Sequence, residues 1–256
     1  MTSADHVAVN RHDWNEWAED FVGPGERAWA GEPSWGIWGV PEADLQLLPD
    51  DMTGIQTVEL GCGTAYVSAW MKRRGASPVG IDISDNQLAT ARRLSAEHSL
   101  AIPLIQGDAE RTPFPDSCFD FAISEYGAAL WCDPYVWIPE AYRILRSGGV
   151  LIFLTNSPWA TVCSPLDGAL PITERFERDY FDIHRLDWTD AIDDPGGIEF
   201  NLPISAWFAL FRETGFEVTD YWEPRPAEGG SEVNYYVTAD WAIRWPSEQV
   251  WKLRKP

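Results

Sequence analysis

The sequence has few basic residues: 19 lysines and arginines stand against 40 aspartates and glutamates, a formal net charge of −21 over 256 residues. A field this negative repels phosphate backbones and anionic membrane surfaces, so we expect neither nucleic acid nor membrane as a partner. A small molecule, neutral or cationic, is the easier partner. The alternative is that the acidity only keeps the protein soluble.

Signals for metal binding and export are also missing. Cys62, Cys118, Cys132 and Cys163 form no C-x-x-C pair and have no histidine at metal-ligand spacing, so no metal site is predicted. The N-terminal segment lacks the apolar core of a signal peptide, and no run approaches the roughly 18 apolar residues of a membrane span. We therefore expect a cytoplasmic protein with reduced thiols. The sequence does not indicate an oligomeric state.

The most informative segment spans residues 57–84. An apolar strand ends in Glu59, a turn with Gly61 and Gly63 follows, and after an amphipathic stretch a second strand ends in Asp82. Strand, glycine turn, helix and strand, with an acid about 20 residues past the glycines, are the layout that binds a nucleotide ribose at the carboxyl ends of parallel strands. The segment therefore predicts an adenosine-type cofactor. The alternative is an ordinary glycine turn between strand and helix.

The same segment departs from a dinucleotide site. The dinucleotide fingerprint has a small residue where this chain has Tyr66, and Glu59 in front of the turn would repel a pyrophosphate. S-adenosylmethionine carries an ammonium, a sulfonium and ribose hydroxyls but no phosphate. It is the cofactor that fits these residues.

Four motifs follow one another in the chain: ELGCGTA at 59–65, VGIDIS at 79–84, GDAERTPFPDSCFD at 107–120 and LRSGGVLIF at 145–153. Together they resemble the motifs of class I S-adenosylmethionine-dependent methyltransferases, in the branch that acts on small molecules. The resemblance implies an α/β fold with a Rossmann-like sheet of seven mostly parallel strands, helices on both faces and a reversed last hairpin. Ala65 stands where a third glycine is usual, so we expect cofactor binding with a slightly restricted turn.

The rest of the chain is divided by its pattern. Residues 1–40 are predicted to be an N-terminal helical cap, with a Gly- and Pro-rich loop at 23–41, and 41–256 to be the methyltransferase domain. A helix is expected at 42–48. The predicted strands lie at 57–60, 78–82, 102–106, 119–124, 150–155, 216–222 and 249–254, and the predicted helices between them at 66–74, 85–98, 136–145 and 205–215.

The α/β pattern is interrupted at 157–203, after the fifth strand. There, segments 180–188 and 197–203 are expected to form a β-hairpin around a turn at Asp193–Gly197. Inserted past the ends of the fourth and fifth strands, this hairpin would cover the cofactor cleft as a lid.

Three acids at strand ends are expected to bind the cofactor. A carboxylate at Asp82 can accept hydrogen bonds from both ribose hydroxyls. The resemblance gives Asp108 the exocyclic amine of adenine, although an aspartate after Gly107 is also a common turn former. Glu59 is expected to reach the methionine ammonium, directly or through water.

Six other positions complete the expected cofactor site. Gly61 and Gly63 allow close backbone approach, Ile83 packs on adenine, and the backbone N–H of Ala109 donates to an adenine ring nitrogen. Ser124 and Glu125 offer their backbone carbonyls to the methionine portion. The expected cofactor-binding set is therefore Glu59, Gly61, Gly63, Asp82, Ile83, Asp108, Ala109, Ser124 and Glu125.

The sequence does not identify a catalytic base. Methyl transfer is an in-line displacement for which alignment of nucleophile and carbon can supply most of the rate effect. His184 and Tyr126 are candidates by position only, and His184 is equally a polar residue on a strand. We expect methyl transfer to a small organic molecule, with oxygen, nitrogen or carbon as acceptor. The alternatives are a regulatory protein that binds the cofactor without turnover and a methyltransferase acting on a protein or RNA.

Overall fold

The structure, a computed structural model, describes residues 4–191 and 197–256. Its strands are β1 (Ser34–Trp35), β2 (Val40–Pro41), β3 (Gln56–Leu60), β4 (Ser77–Asp82), β5 (Leu104–Gln106), β6 (Phe119–Glu125), β7 (Leu145–Asn156), β8 (Arg185–Asp187), β9 (Ile198–Phe200), β10 (Glu217–Trp222), β11 (Val233–Asn234), β12 (Val237–Thr238) and β13 (Glu248–Arg254). Its α-helices are α1 (Ala4–Glu16), α2 (Val22–Ala30), α3 (Glu42–Leu45), α4 (Tyr66–Arg73), α5 (Asp85–Glu97), α6 (Ala128–Trp131), α7 (Pro134–Ile144), α8 (Pro158–Val162), α9 (Ile204–Thr214) and α10 (Ala239–Ala242).

Seven strands form the central sheet in the order β10-β13-β7-β6-β3-β4-β5. The five strands from β7 to β5 are parallel to their neighbours, and β13 runs antiparallel between β7 and β10. The predicted Rossmann-like sheet with a reversed last hairpin is confirmed. β3 lies between β4 and β6, so the chain turns to opposite sides of the sheet at this point, and the carboxyl end of β3 faces the crevice where such sheets bind ligands.

The sheet strands follow from their apolar sequence. Val58 and Leu60 of β3 are completely buried, as are Leu151 and Phe153 of β7. Strands buried on both faces read as continuous apolar runs rather than alternating ones, which is the pattern here. Helix α5 starts at a polar cap, since Ser84 accepts a hydrogen bond from Gln87 N.

The loop prediction for residues 23–41 is wrong, because α2 occupies Val22–Ala30. Pro24 lies in the first turn, where a helix needs no backbone N–H donor. Gly25 is required by packing: a Cβ there would approach Thr64 Oγ1 to 2.7 Å. The glycine that suggested a loop therefore lets a helix pack closely on the turn after β3.

Other bounds also differ from the prediction, most of all at β7, which begins at Leu145 rather than at residue 150. The helix expected at 42–48 ends at Leu45, since Gln46 has a left-handed φ of 52° and the Glu42 carboxylate accepts hydrogen bonds from Leu47 N and Leu48 N. The strand expected at 102–106 begins only at Leu104.

The segment after β7 contains the expected antiparallel pair, but in shorter form. β8 and β9 pair with Leu186 opposite Glu199, and residues 180–182 form a 3-10 turn instead of strand. The predicted turn residues at 193–196 lie outside the described residues. The small hairpin of β11 and β12 and the short helices α8 and α10 were not predicted.

Candidate active site

A cavity of about 670 Å³ opens at the carboxyl ends of the parallel strands. Three parts of the chain enclose it: the sheet ends with their loops, the N-terminal helices, and the segment after β7 together with the β11–β12 turn. We call the part lined by residues 59–63, 82–83 and 107–109 the cofactor half. The part lined by Trp131, Trp188, Glu199, Tyr235 and Tyr236 is called the acceptor half.

Glycine is found at the two positions of the turn after β3 for different structural reasons. Gly61 has φ +72°, and a Cβ on it would lie 2.5 Å from Ala128 N, so the residue is fixed by the loop after β6. Gly63 has φ +49°, and its nearest neighbour, Gln87 Oε1, would be 3.8 Å from a Cβ. Gly63 therefore leaves open space at the cavity. Ala65 adopts φ +62°, a strained backbone for alanine.

Asp82 ends β4 and ties two loops together. One carboxylate oxygen accepts from Gly63 N at 2.7 Å and the other from Ser84 N at 2.8 Å. Burial raises its pKa, and the backbone donors limit that rise. A carboxylate has about four acceptor positions, so both oxygens keep capacity for ligand hydroxyls.

Glu59, at the end of β3, lies in the wall of the cavity and is buried. One oxygen accepts from Ser68 N at 2.7 Å and from Ser68 Oγ at 2.6 Å. Burial raises the pKa of Glu59 to about 8, and the negative charges of Glu125 and Asp82 add to the rise. A cationic ligand group beside Glu59 would lower this pKa again and stabilise the ionised form.

The third acid and its neighbours lie along the same half. Asp108 accepts from Glu110 N at 2.8 Å. This hydrogen bond is typical of the turn-forming role that an aspartate after Gly107 can have. Burial raises the pKa of Asp108. Asp108 also lines the cavity, together with Ala109 and Ile83. The turn role and a ligand role are therefore compatible, because only one carboxylate oxygen is used by the turn.

Glu125 lies at the end of β6 and lines the cavity. Its carboxylate accepts from Gly36 N at 2.7 Å and from the Tyr66 hydroxyl at 2.8 Å. Burial raises the pKa of Glu125 to about 7. Ser124 is buried in the core instead, where its hydroxyl donates to Leu60 O, and it is not among the cavity-lining residues.

The two candidates for a base differ in position. Tyr126 lines the cavity and donates its hydroxyl to Glu248 Oε1 at 2.7 Å; burial raises its pKa well above the ordinary value. His184 lies outside the cavity lining, half-exposed, with Nε2 at 2.9 Å from Asp133 Oδ1. His184 therefore has the geometry of a paired surface residue.

The N-terminal helices close one side of the cavity. The Trp29 indole is completely buried and donates to Thr64 O at 2.7 Å, next to the glycine turn. From α1, the ring of Trp14 packs edge-on against that of Trp131. Both Trp14 and Trp131 line the cavity. Segments far apart in sequence thus build one wall.

Sequence reasoning missed the acceptor half. Its aromatic residues come from the β11–β12 turn, the loop after β8 and helix α6, and its acid, Glu199, comes from β9. The only available signal was the concentration of tryptophan and tyrosine after residue 180. That signal does not distinguish a wall from a core, because both are built from aromatic side chains.

The carboxylates of the cofactor half fit S-adenosylmethionine. Carboxylates stand at the ends of β3, β4 and β5, which suits an ammonium, ribose hydroxyls and an adenine amine. Within residues 4–191 and 197–256, no lysine, arginine or histidine lines the cavity, so a pyrophosphate would find no cationic side chain. In the same described ranges, no group of three metal-ligating side chains is found and no helix is long and apolar enough to cross a membrane.

Part of the central sheet resembles a known protein family in sequence. Residues 58–153 match the family model described as "Methyltransferase domain". A malonyl-[acyl-carrier protein] O-methyltransferase of Pectobacterium atrosepticum is 38% identical over 112 residues, 43% of this chain and 42% of that protein. A 2-methyl-6-phytyl-1,4-hydroquinone methyltransferase of rice (Oryza sativa) is 36% identical over 120 residues, 45% of this chain and 34% of that protein. The chain thus spans less than half the length of these curated relatives.

A solved structure extends the likeness to most of the fold. An S-adenosylmethionine dependent methyltransferase from Mesorhizobium loti superposes with a TM-score of 0.64 at 23% identity, covering 86% of this chain and all of that one. At this identity the likeness concerns the fold alone. The family match at residues 58–153 includes the cofactor half.

Proposed function

Because residues 58–153 match the family model of a methyltransferase domain, we propose that this protein binds S-adenosylmethionine and transfers its methyl group to a small organic molecule. The observation that carries the proposal is the row of carboxylates at the ends of β3, β4 and β5, which faces one cavity. The family match and the relatives support the same chemistry. The methyl acceptor is not assigned by them.

Each acid has a distinct task in this proposal. Asp82 accepts from the ribose hydroxyls while its hydrogen bonds to Gly63 N and Ser84 N hold the two loops in position. Asp108 accepts from the adenine amine, and Ile83 and Ala109 contact the ring. Glu59 pairs with the methionine ammonium, and its two hydrogen bonds from Ser68 fix the carboxylate before the ligand arrives.

In this proposal the side chain of Glu125 has a role in addition to the one expected for its backbone carbonyl. Its carboxylate links Gly36 N to the Tyr66 hydroxyl, so it orders the N-terminal segment over the site as well as lining the cavity. The sulfonium of the bound cofactor supplies an activated methyl group. The protein contributes orientation, because the sheet ends hold one partner and the aromatic wall holds the other, and this alignment lowers the barrier.

The size of the cavity supports turnover over a purely regulatory role. The lining continues from the cofactor half to the acceptor half, so one enclosure offers space for two reactants. A protein that only sensed the cofactor would need the first half alone. The acidic surface argues against RNA as the acceptor.

The proposal is tested by single-turnover release of S-adenosylhomocysteine. The protein is mixed with S-adenosylmethionine and a fractionated small-metabolite extract, and S-adenosylhomocysteine and methylated products are followed by mass spectrometry. We expect stoichiometric release with at least one fraction and none without extract. Tight cofactor binding with no release from any fraction would favour the regulatory alternative.

A further inference from the structure

The charge of the cavity is entirely of one sign in the described residues. Five carboxylates line it, at Glu59, Asp82, Asp108, Glu125 and Glu199, and among the described residues no cationic side chain joins them. An anionic acceptor would lose its hydration and meet only like charge, which is costly in a partly enclosed site. A cationic or neutral acceptor avoids that cost.

Four of these acids already have hydrogen-bond partners. Glu59, Asp82, Asp108 and Glu125 each accept from backbone or side-chain donors. Glu199 differs in its partner: the side chain of Trp188, itself part of the cavity wall, hydrogen-bonds to its carboxylate, and no ion pair reaches it from residues 4–191 or 197–256. It lies on β9, opposite Leu186, and its side chain lines the acceptor half.

Burial raises the pKa of Glu199, and the charge of the nearby Arg178 lowers it in part. Arg178 donates to Ser164 O at 2.9 Å, and its guanidinium carbon lies 5.0 Å from the centroid of the Trp188 ring. It forms no ion pair with Glu199 and does not line the cavity in the described structure. Arg178 thus acts on Glu199 at a distance and not as an ion-pair partner.

Two aromatic side chains lie near the Glu199 carboxylate: Trp188, which hydrogen-bonds to it, and Tyr236. Tyr236 is close enough for the charge of Glu199 to contribute to raising the pKa of that phenol, after burial and Glu248. The rings of Trp131, Trp188 and Tyr235 line the same cavity. A carboxylate among aromatic faces is the surrounding that binds an organic cation, through charge and cation–π attraction together.

We propose, on the premise of the methyl-transfer function above, that the acceptor is an amine with an aromatic or apolar body and that Glu199 pairs with its ammonium group. The aromatic wall receives the body of the molecule. The reaction is then methylation at nitrogen.

In this proposal Glu199 also accepts the proton that the amine must lose before methyl transfer. The ammonium first gives one proton to the Glu199 carboxylate, which frees the nitrogen lone pair. The lone pair forms the new N–C bond, and the electrons of the breaking C–S bond stay on sulfur. Burial raises the pKa of Glu199 to about 7, so the carboxylate can accept and release this proton near neutral pH.

The test compares acceptors that share a ring and differ in charge. Tryptamine, tryptophol and indole-3-acetate form one series, and phenethylamine, 2-phenylethanol and phenylacetate another. Binding to the protein saturated with S-adenosylhomocysteine is measured by calorimetry at pH 7.5. We expect the amine of at least one series to bind at least tenfold more tightly than its alcohol, and the acids to bind least.

Two variants test whether the preference for amines over alcohols depends on Glu199. Glu199→Gln keeps the shape and should reduce the amine-to-alcohol ratio at least tenfold while leaving alcohol affinity within twofold. Glu174→Gln, an exposed acid paired with Arg244 on the same insert, is the matched control and should leave the ratio unchanged. Acids that bind as well as amines, no amine binding up to 10 mM, or an unchanged ratio in Glu199→Gln would overturn the proposal.

The same calorimetry distinguishes a failure of the acceptor assignment from a failure of the proposed function. If S-adenosylhomocysteine binds and the amine preference is absent, the acceptor assignment fails and the proposed function stands. If S-adenosylhomocysteine itself does not bind, the proposed function fails.

Discussion

The two halves of the cavity differ in how the chain builds them. The cofactor half consists of strand ends and the loops directly after them, within residues 59–109, and its acids are held by backbone N–H groups. The acceptor half collects residues from α6, β9 and the β11–β12 turn. The first half is fixed by local structure. The second depends on packing between distant segments.

This difference suggests different tolerance to substitution. A change in the cofactor half disturbs loops that support each other through the main chain, so it should affect folding and cofactor affinity together. A change in the acceptor half should affect the choice of acceptor and leave the fold in place. The following predictions test this division, starting with the largest expected effect.

Gly61→Ala should give the largest loss of stability. The new Cβ would lie 2.5 Å from Ala128 N, and the residue keeps φ +72°. Overpacking and left-handed strain together cost roughly 2–5 kcal/mol. Urea unfolding measures the change. Gly54→Ala is the control, because Gly54 has φ +82° but nothing within 4 Å of a Cβ, so only the strain of about 1–2 kcal/mol remains. Equal losses for both variants would show that the close approach at Gly61 is unimportant.

Asp82→Ala should weaken S-adenosylhomocysteine binding by about ten- to a hundredfold, since each lost hydrogen bond to a charged group costs about 1.5–3 kcal/mol. Calorimetry gives the affinity. Asp85→Ala is the matched control three residues later, where the carboxylate is exposed and pairs only with Arg11. It should bind as the unmodified protein does. Unchanged affinity in Asp82→Ala would remove Asp82 from the cofactor site.

The free energy of unfolding should fall as the pH rises from about 5 to 7. Burial raises the pKa of Glu125 from 4.5 to about 7 in the folded protein, so in this window the folded state binds more protons than the unfolded state. Stability then decreases with pH, by at most about 1.4 kcal/mol per pH unit for each such group. Glu59 and Glu248, with pKa values of about 8, extend the fall to higher pH.

The variant Glu125→Gln should reduce this slope between pH 5 and 7. Urea unfolding at several pH values gives it directly. Glu213→Gln, at an exposed site on α9, should keep the original slope. A slope that is the same in Glu125→Gln and in the unmodified protein would contradict the assignment of a raised pKa to Glu125.

His184→Gln should have the smallest effect. The imidazole lies outside the cavity lining and pairs with Asp133, and half-exposed pairs contribute at most about 1 kcal/mol. We expect turnover of any identified acceptor to change less than twofold. A loss of kcat of a hundredfold or more, with stability unchanged, would instead make His184 the missing base.

The sheet could be predicted from sequence because its signals are local. Apolar runs ending in Glu59 and Asp82, with glycines between them, specify strand, turn and helix without reference to other segments. Helix α2 could not be predicted in this way. Pro24 and Gly25 are loop-forming in isolation, and only the close contact of Gly25 with Thr64 explains the helix.

The acceptor half was beyond sequence reasoning for the same reason. Glu199 lies on a three-residue strand whose partner, β8, is equally short, and the alternation of buried and more exposed residues in both is too brief to show that Glu199 faces a cavity. Tyr235 and Tyr236 reach the cavity from a turn more than 100 residues after the loop that follows β6. Their meeting is a property of tertiary packing, which a single sequence does not display.

The central claim is that the cofactor half binds S-adenosylmethionine and not a dinucleotide. Calorimetry of the unmodified protein with S-adenosylhomocysteine and, separately, with NAD tests it most directly. The account predicts saturable binding of one S-adenosylhomocysteine per chain and no measurable heat with NAD at the same concentration, because acids and no cationic side chains line the described cavity. Binding of NAD with equal affinity, or no saturable binding of S-adenosylhomocysteine, would contradict it.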